Sequence, residues 1–141
     1  MKKIDFPFEK KHSDIFGEVY RPVAIVDFWS HKIANWIKII GIVDTGADYT
    51  LLPRFYAKDL GIDLQKDCRK FSTAGIGGSE KVYLAEKVRI RLGEWQGCIP
   101  VGFLGRSNIP PLLGRQEFLE LFKLILFRHS TYFSAVPKAK L

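Results

Sequence analysis

A carboxylate stands directly after an apolar segment, in the sequence GIVDTGAD of residues 41–48. Residues 37–43 are apolar apart from one lysine and one glycine, which predicts a buried β-strand. Gly46 and the small Ala47 permit a sharp turn immediately after Asp44. The pattern therefore predicts a carboxylate fixed at the end of a core strand, either as a turn former or as a catalytic group.

The residues around Asp44 do not decide between these two interpretations. Asp and Thr side chains hydrogen-bond to nearby backbone and Gly adopts permissive dihedral angles, so Asp-Thr-Gly is ordinary turn material. Two other stretches bear on the choice. Residues 73–79 (TAGIGGS) contain three glycines around one isoleucine, and residues 109–115 (IPPLLGR) place two leucines and a glycine after two prolines.

Most of the chain has the composition of short β-strands separated by turn residues. Glu18–Ser30 and Ile33–Val43 are rich in β-branched and aromatic residues and predict a hairpin that delivers Asp44. Arg54–Leu60, between a proline and a glycine, predicts a short helix. The further predictions are a hairpin at 69–82 with a glycine-rich tip, strands at 82–92 and 95–104, a helical segment at 115–122, and closing strands at 123–127 and 131–136.

The glycine-rich stretch does not fit a phosphate-binding loop. Glu80 stands where a third glycine is required after Gly75 and Gly77, and Lys81 is not followed by Ser or Thr. A strand pattern, rather than a helix, follows this stretch. The spacing therefore argues against nucleotide binding.

The composition is that of one globular domain. The 141 residues are 47% hydrophobic and 26% charged, with a formal net charge of +7. The positive charge motivates a nucleic-acid-binding alternative, but Lys and Arg are spread along the chain without the basic stripe and interleaved aromatics that such binding uses. Solvated surface charge is the favoured interpretation, and no nucleic acid partner is expected.

The cysteines and the hydropathy pattern predict a cytoplasmic protein without a metal or other cofactor. Cys68 and Cys98 are far apart, and neither belongs to a cluster with the spacing of zinc ligands. Two free thiols suit a reducing compartment. No apolar run has the length of a membrane span, and no apolar segment follows the N-terminal charges.

Three features occur in a fixed order: an apolar strand leading into Asp44-Thr45-Gly46, a glycine-rich hairpin at 74–78, and Leu-Leu-Gly-Arg at 112–115. In this order, over roughly residues 20–127, the chain resembles the retropepsins, the single-domain aspartic proteases best known from retroviruses, and the retropepsin-like proteins of bacteria and archaea. The resemblance implies an all-β fold, a single-domain closed β-barrel with one short C-terminal helix and a β-hairpin flap. It also implies an endopeptidase that binds an extended peptide.

The resemblance assigns roles to individual residues. Asp44 is the catalytic carboxylate, Thr45 holds the two Asp-bearing loops together across the subunit boundary, and Gly46 supports the site and binds substrate main chain. Arg115 pairs with a buried Asp48 beneath the site. The residues implied to bind substrate through their main chain, through side-chain pockets or through the flap are Ala47, Asp48, Ile42, Leu51, Gly75, Ile76, Gly77, Gly78, Pro110 and Leu112.

Only one Asp-Thr-Gly is present, whereas aspartic proteolysis uses two carboxylates. The resemblance therefore implies a homodimer in which Asp44 meets its own copy at a two-fold axis. The expected organisation is an N-terminal arm at 1–17, which forms an irregular segment or an edge strand, a protease domain at 18–136, and a tail at 137–141. The alternative function is a peptide-binding or scaffold protein of the same fold without catalysis.

Overall fold

The computed structural model of the chain describes residues 2–75 and 78–135. Within these residues there are twelve strands, one α-helix and one 3₁₀ helix. The elements in chain order are β1 (Ile4–Pro7), β2 (Glu9–Ser13), β3 (Gly17–Arg21), β4 (Val23–Ser30), β5 (Asn35–Val43), β6 (Thr50–Leu52), α1 (Phe55–Asp59), β7 (Arg69–Gly75), β8 (Gly78–Leu92), β9 (Trp95–Leu104), β10 (Leu112–Leu113), the 3₁₀ helix (Leu119–Leu121), β11 (Phe122–Phe127) and β12 (Ser130–Ala135).

Seven strands form the main sheet, in the order β4-β5-β10-β6-β9-β8-β7. A further pairing, Asp27 with Arg91 and Phe28 with Ile90, joins β4 to β8. The strand order therefore returns on itself through six strands, and β7 extends outward from β8. The expected all-β architecture is confirmed.

The core lies inside this curved sheet, because the strands alternate between buried and exposed residues. In β4, for example, Val26 and Phe28 are fully buried, whereas Ile25 is 41% exposed. A group of aromatic rings in edge-to-face contact extends the core toward the chain ends. Its members are Phe6, Trp95, Phe118, Phe122 and Phe133.

The N-terminal segment is more ordered than its charged sequence indicates. β1 pairs with β12 at the edge of a three-stranded sheet, β1-β12-β11, and Phe6 of β1 is buried. β2 and β3 form a separate hairpin. Tyr20 of this hairpin stacks on His129 at a ring-centroid distance of 4.1 Å. The edge-strand expectation applies to β1. The expectation of irregular chain is wrong for residues 4–7 and 9–13, because the consecutive lysines Lys10 and Lys11 are exposed on both faces of a paired strand.

Two helices were expected, and they differ in outcome. The one predicted at 54–60 is present as α1. The one predicted at 115–122 is reduced to the three-residue 3₁₀ helix. Glu117 has a φ of 55°, which interrupts a right-handed helix, and burial of Phe118, Leu119 and Phe122 dictates the local conformation instead.

Candidate active site

Asp44 follows β5, whose end is held by two neighbouring segments. The N–H of Asp44 donates to the carbonyl of Leu113 at 3.0 Å, and the N–H of Val43 donates to the carbonyl of Pro22 at 2.9 Å. β10 runs parallel to β5, with Leu113 opposite Val43. The backbone that presents Asp44 is therefore fixed on both sides.

The residues after Asp44 form a tight turn around its carboxylate. The N–H of Gly46 donates to Oδ1 of Asp44 at 3.0 Å, and the N–H of Ala47 donates to the Asp44 carbonyl at 3.1 Å. Asp44 is partly buried, whereas Thr45 and Gly46 are exposed at the tip of the turn. The carboxylate thus shapes the turn through one oxygen. The two interpretations left open by the sequence, turn former and chemical group, are compatible in this geometry.

The loop is tied to the segment after β10. The N–H of Arg115 donates to the Ala47 carbonyl at 3.0 Å, and the N–H of Gln116 donates to the Asp48 carbonyl at 2.7 Å. The Arg115 side chain also donates from Nη2 to Oδ1 of Asp48 at 2.7 Å. The expected pair is therefore present, but the expectation that Asp48 is buried is wrong for the single chain. The side chains of Arg115 and Asp48 are 49% and 82% exposed, because this loop lies at the surface of the chain.

Thr50, which the sequence interpretation missed, and Gly114 of the Leu-Leu-Gly-Arg motif complete the support of the loop. Thr50 is buried, and its Oγ1 accepts a hydrogen bond from the N–H of Gly114 at 3.1 Å. Gly114 is required there because a Cβ would overlap the backbone of Tyr49. A small hydroxyl residue two positions after Asp48 was the available signal, but its partner could not be read from the local sequence.

Tyr49 lies against β9 at a glycine. A Cβ on Gly102 would lie 2.7 Å from the Tyr49 ring, 2.8 Å from Leu51 and 2.9 Å from Val82. The three side chains therefore all pack against the backbone of Gly102, which has no side chain to displace them. Burial raises the pKa of the Tyr49 hydroxyl above its ordinary value, and the charge of Asp48 contributes a smaller increase.

Three of the expected pocket residues lie side by side. Leu112 of β10 is opposite Ile42 of β5 on one side and Leu51 of β6 on the other, and all three are partly buried. Pro110 is exposed two residues before β10. The structure thus brings together the apolar candidates from three separate stretches of sequence near the end of β5.

The glycine-rich hairpin is formed by β7 and β8, whose last described pair is Gly75 with Gly78. Ile76 and Gly77, both expected to contact substrate, lie outside the described residues. The hairpin is attached to the 105–111 loop by an ion pair between Arg106 Nε and Glu80 Oε1 at 2.8 Å. The N–H of Gly105 also donates to the Lys81 carbonyl at 3.2 Å.

Residues 2–75 and 78–135 hold no group of three or more His, Cys, Asp or Glu side chains arranged for a metal ion. No helix in the same ranges is long and apolar enough to cross a membrane.

Comparison with known proteins gives a family and a fold. The aspartyl protease family model matches residues 33–116, which include the Asp44 loop, the hairpin and Arg115. A retropepsin-like aspartic protease from Rickettsia conorii has a similar structure, with 21% identity, a TM-score of 0.65, and coverage of 94% of this chain and 98% of that one. EIAV protease complexed with the inhibitor HBY-793 shares 24% identity and a TM-score of 0.54, over 75% of this chain and 93% of that one.

No curated protein sequence matched the chain. The family model nevertheless covers more than half of it, and the solved structures share its all-β architecture. The chain therefore belongs to the aspartyl protease family, and its fold is similar to that of retropepsin-like proteases.

Proposed function

We propose that the chain is an aspartic endopeptidase that acts as a homodimer, with Asp44 of each subunit forming the catalytic pair. The observation that carries this proposal is the position of Asp44, held at the end of β5 beside an exposed turn. The sequence contains a single Asp-Thr-Gly, so a second carboxylate has to come from another copy of the chain. An exposed turn can meet its own copy at a two-fold axis, where each residue near the axis faces itself.

The proposed mechanism follows from two acids placed close together. Carboxylates about 3 Å apart cannot both ionise, so the pair of Asp44 side chains shares one proton. The ionised member takes a proton from a water molecule, which attacks the peptide carbonyl, while the protonated member donates to the carbonyl oxygen. The reaction uses neither a metal nor a covalent intermediate, and we expect its highest rate at mildly acidic pH.

The remaining candidate residues have supporting roles. Thr45, exposed at the tip of the turn, holds the two loops together across the subunit boundary, and Gly46 supports the site and binds the substrate main chain. Arg115 braces the loop through Asp48. The main chain at Ala47 and Asp48 binds the peptide backbone, and the hairpin tip at 75–78 covers the bound peptide.

The side-chain pockets of this site are apolar. The strand pairing that places Leu112 between Ile42 and Leu51 supports this assignment, and Pro110 is exposed two residues before Leu112. We expect a preference for apolar residues beside the cleaved bond.

Residues 18–136 form the protease domain, with residues 1–17 as an N-terminal arm and residues 137–141 as a tail. The two free cysteines suit a cytoplasmic location.

The test compares the purified chain with an Asp44→Asn variant on a denatured protein substrate near pH 5, a value slightly above ordinary carboxylate pKa values. We expect pepstatin-sensitive cleavage by the wild-type chain, none by Asp44→Asn, and full cleavage by the surface control Asp14→Asn. Sedimentation across a concentration series measures the dimer. Cleavage by Asp44→Asn, a rate that rises steadily above neutral pH, or activity from a strict monomer contradicts the proposal. Peptide binding without cleavage by the wild-type chain supports the scaffold alternative.

A further inference from the structure

A groove of about 540 Å³ lies away from the Asp44 loop and shares no residue with it. Its walls come from three places: the end of β4 with Trp29 and His31, residues 61–69 after α1, and residues 84–89 of β8. The mechanism proposed above does not use any of these residues.

The floor of the groove is apolar. Ile62, Leu84 and Val88 line it together with the partly buried Trp29. Cys68 also lies there, and burial, followed by the nearby charges of Asp67 and Asp63, raises its pKa to about 11. The thiol is therefore neutral at ordinary pH and adds to the apolar floor.

The rim of the groove carries an excess of positive charge. Four cationic side chains, Lys66, Arg69, Lys87 and Arg89, stand against two carboxylates, Asp67 and Glu86. Each carboxylate accepts a hydrogen bond from within the chain, and that of Glu86 is in an ion pair.

Glu86 accepts from Arg69 at 2.6 Å, and Oδ2 of Asp67 accepts the N–H of Asp63 at 2.8 Å. Neither Lys66 nor Lys87 has an ion-pair partner among residues 2–75 and 78–135. The groove therefore has two exposed lysines outside ion pairs, of which Lys66 also interacts over a longer distance with the charge of Asp63.

The groove also lies at the base of the candidate flap. The hairpin pairing of β7 with β8 begins at Arg69 opposite Leu84, and both residues line the groove. The pairing of β8 with β9 then shifts register between Ala85 and Val88. This irregularity separates the part of β8 that pairs with both β7 and β9 from the part that pairs with β9 and β4.

We propose that this groove is a docking site for an acidic peptide segment that also carries apolar side chains. Its carboxylates pair with Lys66 and Lys87, and an apolar side chain enters the floor beside Trp29. A bound segment contacts residues on both sides of the β8 irregularity and so restrains the base of the hairpin. The binding itself is independent of the proposed protease function, whereas any effect on cleavage rests on it.

The test measures binding of a fluorescein-labelled octapeptide of alternating glutamate and leucine to the full chain with Asp44→Asn, which prevents cleavage. We expect the Lys66→Glu/Lys87→Glu variant to lose affinity by about tenfold or more, and the control Lys2→Glu to retain it. A peptide of alternating lysine and leucine should not bind. Added salt should weaken binding of the acidic peptide, because exposed charges are screened.

Hydrogen exchange gives a second readout. We expect amides of residues 69–75 and 78–84 to exchange about threefold more slowly with the acidic peptide bound.

If the double glutamate variant does not fold, the milder Lys66→Gln/Lys87→Gln variant replaces it in the binding test. We expect this variant to bind the acidic peptide with intermediate affinity. Equal binding by the lysine variants and their parent, or an equal loss in Lys2→Glu, overturns the docking site. Unchanged exchange in the hairpin overturns the restraint. Absence of peptidase activity in the wild-type chain leaves both binding results standing.

Discussion

The backbone of Gly114 lies against the backbone of Tyr49, so that a Cβ on Gly114 would be 2.6 Å from the Tyr49 Cα and closer still to its carbonyl group. The same glycine donates its N–H to Thr50. These contacts fasten the end of the Asp44 loop to the segment after β10. They make the geometry of the loop sensitive to a single methyl group.

The Gly114→Ala variant should be strongly destabilised. The added methyl group meets backbone atoms, which cannot rotate away. We therefore expect a loss of about 1–3 kcal/mol in the free energy of unfolding. Urea denaturation measures the effect. Gly105→Ala is the control, because its nearest neighbour would be 3.9 Å from the new Cβ. Equal stability of the two variants would show that the loop readjusts freely.

The Thr50 hydroxyl should matter more than its methyl group. Thr50→Val keeps the volume but removes the acceptor of the buried Gly114 N–H, which should cost about 1–3 kcal/mol in unfolding free energy. Thr50→Ser retains the oxygen and should lose less. Thermal or urea unfolding of both variants makes the comparison, and a larger loss in the serine variant would contradict the role of the hydrogen bond.

The pair of Arg115 and Asp48 should contribute little to the stability of the isolated chain. Both side chains are substantially exposed, and exposed ion pairs contribute about 0–1 kcal/mol. A double-mutant cycle with Asp48→Asn and Arg115→Gln, followed by unfolding of dilute protein, should give a coupling energy in this range that decreases with salt. A coupling of several kcal/mol would indicate that another surface covers the pair.

The link between β4 and β8 should depend on the charge of Asp27. Its side chain is 12% exposed, accepts from Arg91 Nε at 2.9 Å and from Lys38 Nζ at 3.2 Å. Asp27→Asn leaves two cations without their carboxylate, which we expect to cost about 1–3 kcal/mol in unfolding free energy. Asp5→Asn, at an exposed position, is the matched control and should change stability little. Equal effects would refute a special role for Asp27.

The Cys68 thiol should make stability decrease at alkaline pH. Its pKa is raised from an ordinary 9.0 to about 11, so between these values the unfolded chain releases a proton that the folded chain retains. The folded state then binds more protons, and the unfolding free energy falls as pH rises. Cys68→Ser should reduce this decrease. Iodoacetamide should also modify the exposed Cys98 before Cys68 at neutral pH.

Local patterns predicted much of the fold. The β4–β5 hairpin, α1, the β7–β8 hairpin and β9 all lie where alternation, turn residues and a proline–glycine pair placed them. The segment after Arg115 did not follow its helical composition, because the burial of three nonpolar side chains and a positive φ at Glu117 outweighed local propensity. β1 and β2 were not predicted as two separate strands. β1 pairs with β12, which is distant in sequence, and the charged β2 pairs with the mostly exposed β3.

Neighbouring residues are sufficient to predict that Asp44 ends an apolar strand and enters a tight turn, because they encode strand burial and turn dihedral angles. The contacts that hold this turn depend on the packing of the whole fold. Thr50 and Gly114 are 64 residues apart, and their hydrogen bond depends on the register of β10 between β5 and β6. The placement of Tyr49 against Gly102 and the cationic groove at the hairpin base also depend on strand pairing. Contacts of this kind arise from the packing of distant segments, which no local pattern specifies.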